Sequence, residues 1–284
     1  MLKKIIFRII SSSDKNNDTP VFMDDLVIGY QGNIQKTSKA LLEKLIIHAE
    51  KLNQYHITGN QTGQVTDNAK SNFEKAISYA REIFYIENIA QCEIDSAVKF
   101  LISANADFEE SVIKPDLPFS CVVQNATVET QYLYNNLIEI KGKAFFFGQI
   151  NPFDSNRDNQ GKVFQSDIED ICGSLPALGS WELKDISVGH GFEAITKEVE
   201  HYYSRNGIIS FCWHMLDPSG RSFYVEELKD KIIATQLLPG GTQYEWLLSQ
   251  LDNIALFIQQ LKGPHGESIP VLFRPYHEMD GGWF

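Results

Sequence analysis

Hydrophobic positions fall into two regimes along the chain. From Ser38, Leu41, Leu42, Leu45, Ala49 and Leu52 recur at helical spacing and form one apolar stripe. The loop Thr58-Gly59-Asn60-Gln61-Thr62-Gly63 interrupts it. A second stripe follows Asp67, a good N-cap residue, through Ala69, Phe73, Ala76, Ile77, Ala80 and Phe84. The third runs through Ile94, Ala97, Val98, Leu101, Ala104 and Phe108. Three amphipathic helices with short connections predict an antiparallel bundle over 38–113, and none of these stripe residues is titratable. Residues 1–37 carry a polar patch, Ser11 to Asp18, without strong periodicity, and are expected to be a poorly ordered lead-in.

Lys114-Pro115-Asp116-Leu117-Pro118 marks a linker over 114–123. Beyond it the rhythm changes to strand and helix in alternation. Strands are predicted at Ala144–Phe147, Ala177–Trp181, Ile208–Trp213 and Ile269–Arg274. Helices are predicted at Ser166–Cys172, Glu193–Asn206 and Tyr244–Lys262, the last with Leu247, Leu248, Leu251, Ile254 and Ile258 on one face. Apolar strands alternating with helices indicate a parallel sheet with covered faces. Polar residues collect past the strand ends: Gln149, Glu182, His214, then His277 and Glu278. A (β/α)8 barrel builds its site at that rim, so the fold class is α/β: the first four βα units of a TIM barrel over 124–284, behind an all-α bundle.

Composition narrows the function. The net charge is −3 over 1–123 and −9 over 124–284, a field that repels phosphate backbones and makes nucleic acid an unsuitable partner. Phe147-Gly148-Gln149-Ile150-Asn151-Pro152 has one glycine rather than the spaced set that cradles a pyrophosphate, so no nucleotide cofactor is expected. Cys92, Cys121, Cys172 and Cys212 form no CxxC pair, so neither a zinc site nor a disulfide scaffold is indicated, and Cys212 is expected in the core. No run approaches the roughly 20 apolar residues of a membrane helix. Met1–Ile10 has the basic start of a secretory signal, but Arg8 interrupts an already short apolar stretch.

The candidate chemistry centres on Glu278, which follows a strand end beside His277 and ahead of Trp283-Phe284. Apolar neighbours can keep such a carboxyl protonated as a general acid; the competing assignment is a solvated loop acid. His214, next to Trp213, is by position alone more often a structural histidine than a catalyst. Trp283, behind Gly281-Gly282, suits either a sugar-stacking platform or ordinary packing.

The run Phe273-Arg274-Pro275-Tyr276-His277-Glu278-Met279-Asp280-Gly281-Gly282-Trp283-Phe284 resembles the acid/base motif of glycoside hydrolase family 26, the endo-β-1,4-mannanases and relatives. Supporting pieces stand in order: Tyr134-Asn135-Asn136-Leu137, Phe146-Phe147-Gly148-Gln149, Leu175 to Glu182, and Ile209 to His214. The resemblance implies a retaining glycosidase acting on β-mannan, with Glu278 as proton donor, His277, His214 and Trp213 lining the sugar site, and Trp283 contacting sugar rings. It implies no metal and no cofactor, and a polysaccharide partner, hence export to the outside or surface of the cell. Asp280 stands where the family usually has Asn. The nucleophile the family places on a later strand has no counterpart up to Phe284, so the expectation is a fragment, poorly soluble and without turnover alone. Gly63-Gln64-Val65 and the three-helix spacing resemble FIVAR modules, which implies a spacer or a sugar-binding accessory.

Two competing functions remain open. One is a metal-dependent hydrolase with His214, His277 and Glu278 as ligands. The other is a non-catalytic carbohydrate-binding protein.

Overall fold

The computed structural model describes residues 39–123, 125–153, 164–218, 222–224, 226–227 and 234–278. The lead-in expected over 1–37 and the candidate Trp283 lie outside the described residues.

The three predicted helices form as α1 (Lys39–Tyr55), α2 (Asp67–Tyr85) and α3 (Gln91–Ser111). Each packs on both others, and their stripes close one core in which Leu42, Ala49, Leu52, Ala80, Val98 and Leu101 are fully buried. Phe73 and Phe108 stack at 4.2 Å within it. The N-cap of α2 is Thr66 rather than Asp67: the Ala69 N–H donates to Thr66 Oγ1 at 3.2 Å, and Asp67 is the first helical residue, where its charge suits the positive end of the helix. The linker is tied down by Asn135 of α4 (Val128–Ile140), which accepts from Phe119 N at 3.0 Å and donates to Phe119 O at 2.7 Å.

Four strands form one parallel sheet: β1 (Gly148–Ile150), β2 (Leu178–Glu182), β3 (Ile208–Trp213) and β4 (Val271–Pro275). Their spatial order is 1-2-3-4, with Ser180 opposite Ser210 and Phe211 opposite Phe273. Strands adding one after another without reversal are the arrangement of a barrel wall; a doubly wound sheet reverses order at a switch point. The intervening helices are α5 (Asp167–Cys172), α6 (Lys184–Ser187), α7 (Phe192–Ser204) and α8 (Tyr244–Gln260). The second core lies between the sheet and these helices, centred on Trp181, Tyr202, Phe211, Trp213 and Phe257.

Tyr202 shows how tightly this layer is set. Its hydroxyl donates to Pro176 O at 2.6 Å, and a Cβ at Gly207 would fall 2.1 Å from its ring. Glycine at 207 is therefore a packing requirement at the α7–β3 turn.

Two strands are displaced from their predicted spans. β1 begins after the Phe145-Phe146-Phe147 run, where Leu178 N–H donates to Phe147 O, and Phe145 is left 87% exposed. β4 begins at Val271 rather than Ile269 because Pro270 has no N–H and Ser268 bridges back to Lys262 in antiparallel fashion. Cys212 is fully buried, as a core residue, and burial pushes its thiol up to about 11.

Candidate functional site

Three strand ends converge at one rim. Glu182 is the last residue of β2, His214 the first after β3, and His277 and Glu278 lie one residue past β4, in the turn that Tyr276 opens. The register places Glu182 opposite Cys212, which brings its carboxylate to the backbone of the residues that follow β3. Glu182 Oε1 accepts from His214 N at 2.9 Å and from Lys184 N at 3.0 Å, and Oε2 accepts from His214 Nδ1 at 2.7 Å. An ionised carboxylate can only accept, so Nδ1 carries the proton and His214 turns Nε2 toward Glu278, whose Oε2 lies 3.8 Å away. Phe223 stacks on the His214 ring, centroids 4.4 Å apart.

His277 is buried, with its ring centroid 3.9 Å from that of His214 and its Nε2 3.9 Å from Glu182 Oε2. Burial, seconded by His214, holds it below the ordinary histidine range despite the pull of Glu182 and Glu278. It is therefore a neutral imidazole at pH 7, and its Nδ1 has no hydrogen-bond partner among the described residues. Glu278 is the exposed member, its side chain 53% accessible. The apolar surroundings expected of it would come from Trp283 and Phe284, outside the described residues.

The backbone around Glu278 is unusual. Tyr276 and Glu278 both sit in the left-handed region, at φ 53° and 61°, costing on the order of 1 kcal/mol each for residues with a Cβ. Tyr276 N–H donates to Trp213 O at 3.2 Å, and the Tyr276 ring packs 5.4 Å from Trp213. This contact holds the turn that aims Glu278 outward.

His214, His277 and Glu278 are thus brought together as the sequence suggested, but Trp213 corrects the expectation. It is 0% exposed and packs into the core beneath Tyr276, so it supports the turn and cannot touch a sugar. Glu182, noted in the sequence only as a rim residue, is the hub of the cluster. Its role depends on a contact spanning 32 residues that no local pattern announces.

Glu182, His214 and His277 each offer one ligand atom, and those atoms lie within 4.8 Å of one another. Both Glu182 oxygens already accept hydrogen bonds from His214 and Lys184, so a metal at this set would compete with those donors. The set also differs from the His214, His277 and Glu278 ligands of the metal-hydrolase expectation.

Residues 122–284 match glycosyl hydrolase family 26, which leaves the bundle outside the match. The chain is 28% identical over 172 residues to a mannan endo-1,4-beta-mannosidase of Bifidobacterium adolescentis, covering 56% of this chain and 17% of that protein. It is 30% identical over 174 residues to a mannan endo-1,4-beta-mannosidase of Thermothelomyces thermophilus, covering 56% of this chain and 33% of that one. Among solved structures, GH26C from Muricauda sp. MAR_2010_75 aligns with TM-score 0.52 and 30% identity, over 56% of this chain and 46% of that chain. A Cellulomonas fimi endo-beta-1,4-mannanase double mutant aligns with TM-score 0.50 and 25% identity, over 56% of this chain and 38% of that chain. The chain thus spans a third or less of the curated relatives' length and under half of these two solved chains.

Proposed function

We propose that this chain, which belongs to glycosyl hydrolase family 26, carries the acid/base side of a site that cleaves β-1,4-mannosidic bonds in mannan-type polysaccharides. The observation that carries the reading is the contrast between two carboxylates at one rim. Glu182 is held by His214, Lys184 and Cys212, whereas among the described residues Glu278 is exposed, with His214 Nε2 3.8 Å from its carboxylate. The pinned acid orients a histidine; the exposed one can reach a ligand.

Glu278 protonates the glycosidic oxygen as the bond to the leaving sugar breaks, then as a base draws a proton from the water that completes hydrolysis. His277, neutral and buried, donates or accepts with sugar hydroxyls without bringing a charge into the site. His214, set by Glu182, presents Nε2 beside the Glu278 carboxylate. A retaining mechanism needs a second carboxyl group about 5–5.5 Å from the first, and none of the described residues is assigned that role. The names of the two relatives support mannan as the substrate class, and a polymer of that size implies a site of action outside the cell. Among the described residues, no helix is long and apolar enough to cross a membrane.

The test is titration with β-1,4-mannohexaose, read by the imidazole NMR signals of His214 and His277. Both sets should shift in the wild type and in Glu278→Gln, while any hydrolysis of mannan should vanish in the variant. A folded protein whose imidazoles ignore manno-oligosaccharides would remove the reading.

A second reading, a metal-dependent hydrolase, draws on the closeness of Glu182, His214 and His277. It predicts stoichiometric zinc.

A further inference from the structure

The bundle does not hang from the barrel on a tether. Its α3 carboxylate, Glu109, is buried and accepts from Ser268 N at 2.7 Å and from Ser268 Oγ at 2.8 Å, across 159 residues of chain. Lys262, also buried, donates to Ser268 Oγ at 2.7 Å and lies 4.0 Å from Glu109. Residues 262–269 form the loop from α8 into β4, closed by the Lys262–Ser268 bridge. The tip of that loop meets α1. A Cβ at Gly266 would fall 2.2 Å from His48 O, and His265 stacks on Tyr55 at 4.4 Å and 9° between planes. Lys44 of α1 reaches Glu200 of α7 at 3.4 Å.

We propose that the three-helix bundle is a fixed part of the barrel unit and that Glu109 is a positioning residue: it anchors the entry of β4, whose far end presents His277 and Glu278. The positioning role rests on the functional reading given above. β4 needs such an anchor because, among the described residues, it pairs only with β3. Ile269, adjacent to Ser268, is buried in the second core, so a hold on Ser268 fixes both the depth and the register with which the strand enters the sheet. A buried carboxylate left without those donors, or the donors without it, would favour separation of the two layers.

The test uses the distribution of tryptophan. All four, Trp181, Trp213, Trp246 and Trp283, lie in the second half, and the bundle has none. Far-UV circular dichroism therefore follows both units, and tryptophan fluorescence follows the barrel half alone. In the wild type the two thermal transitions should coincide. Glu109→Ala should lower the tryptophan midpoint by at least about 5 °C and raise hydrogen exchange at the Leu272, Phe273 and Arg274 amides at least tenfold. Glu109→Gln should restore most of both, since its carbonyl still accepts from Ser268 N and the Ser268 hydroxyl can reverse to accept from the amide. Two separate transitions in the wild type, or a Glu109→Ala protein with unchanged exchange in β4, would overturn the proposal. Should Glu109→Ala fail to fold, Ser268→Ala, which removes only the hydroxyl bonds, gives the same readout in milder form, and unchanged β4 exchange there counts equally against it. Exchange in β4 is read without sugar, so failure to bind mannan would remove the functional reading and leave this test standing.

Discussion

Glu182 Oε2 lies 2.7 Å from His214 Nδ1, and Oε1 of the same carboxylate takes the His214 backbone N–H at 2.9 Å. Side chain and main chain of one histidine are thereby held by one acid from the neighbouring strand. This double hold fixes the ring tautomer and its tilt toward Glu278, as a carboxylate does for a metal-bound or catalytic imidazole elsewhere.

Glu182→Gln tests that hold. The glutamine carbonyl can keep His214 N and Lys184 N, but its amide presents a donor to Nδ1. The His214 proton should therefore move to Nε2, visible in nitrogen-15 spectra of the ring. Loss of one charge-assisted bond should weaken manno-oligosaccharide binding by about tenfold to a hundredfold. A ring that keeps its proton on Nδ1 in the variant would show that Glu182 does not set the tautomer.

Trp213→Phe separates packing from recognition. The indole is fully buried against Tyr276, so the smaller ring should cost about 1–2 kcal/mol of stability in urea unfolding. Mannohexaose affinity should stay within about twofold, because a side chain with no accessible surface makes no contact for the sugar to lose. A larger loss of affinity at unchanged stability would return Trp213 to the sugar site.

What could be seen in the sequence divides along physical lines. β3 is legible to the residue because Ile208–Trp213 is apolar but for Ser210 and lies in the sheet interior, and the bundle is legible because its three stripes at helical spacing pack on one another. α4 had no such signal: of its 13 residues only Asn135 is buried, and that residue serves the linker rather than a core. Glu182 and Phe223 joined the site through contacts across strands and loops, which a linear pattern does not record. Glu109, off the three named stripes, faces Ser268 for the same reason.

Metal content decides between the two hydrolytic readings. Purified protein should carry no stoichiometric zinc, and a chelator should leave mannohexaose binding unchanged. With both Glu182 oxygens accepting hydrogen bonds from His214 and Lys184, an ion would compete with those donors for the carboxylate. One equivalent of zinc that disappears in His277→Ala would replace glycoside hydrolysis with metal-dependent chemistry.

Acid should loosen the bundle against the barrel, and His48 sets the window. Burial, with Lys44, Lys262 and Lys51 adding to it, pushes His48 down from 6.5 to about 4. The folded protein therefore keeps this ring neutral where the unfolded chain protonates it, so its contribution is intact above pH 6.5 and is lost as pH falls toward about 4. The full difference amounts to about 3 kcal/mol, levelling off once the folded ring also takes its proton. His277 is lowered in the same direction and adds to the loss. His48→Gln removes the titrating group while keeping a polar side chain, and should flatten the fall in urea midpoint between pH 6.5 and 4 relative to the wild type. Because the His48 carbonyl faces Gly266, the residual acid sensitivity should appear in the β4 amides later than in the wild type. Parallel pH curves for the two proteins would mean that the ring gains a compensating partner on protonation, and the acid lability would then lie with other groups.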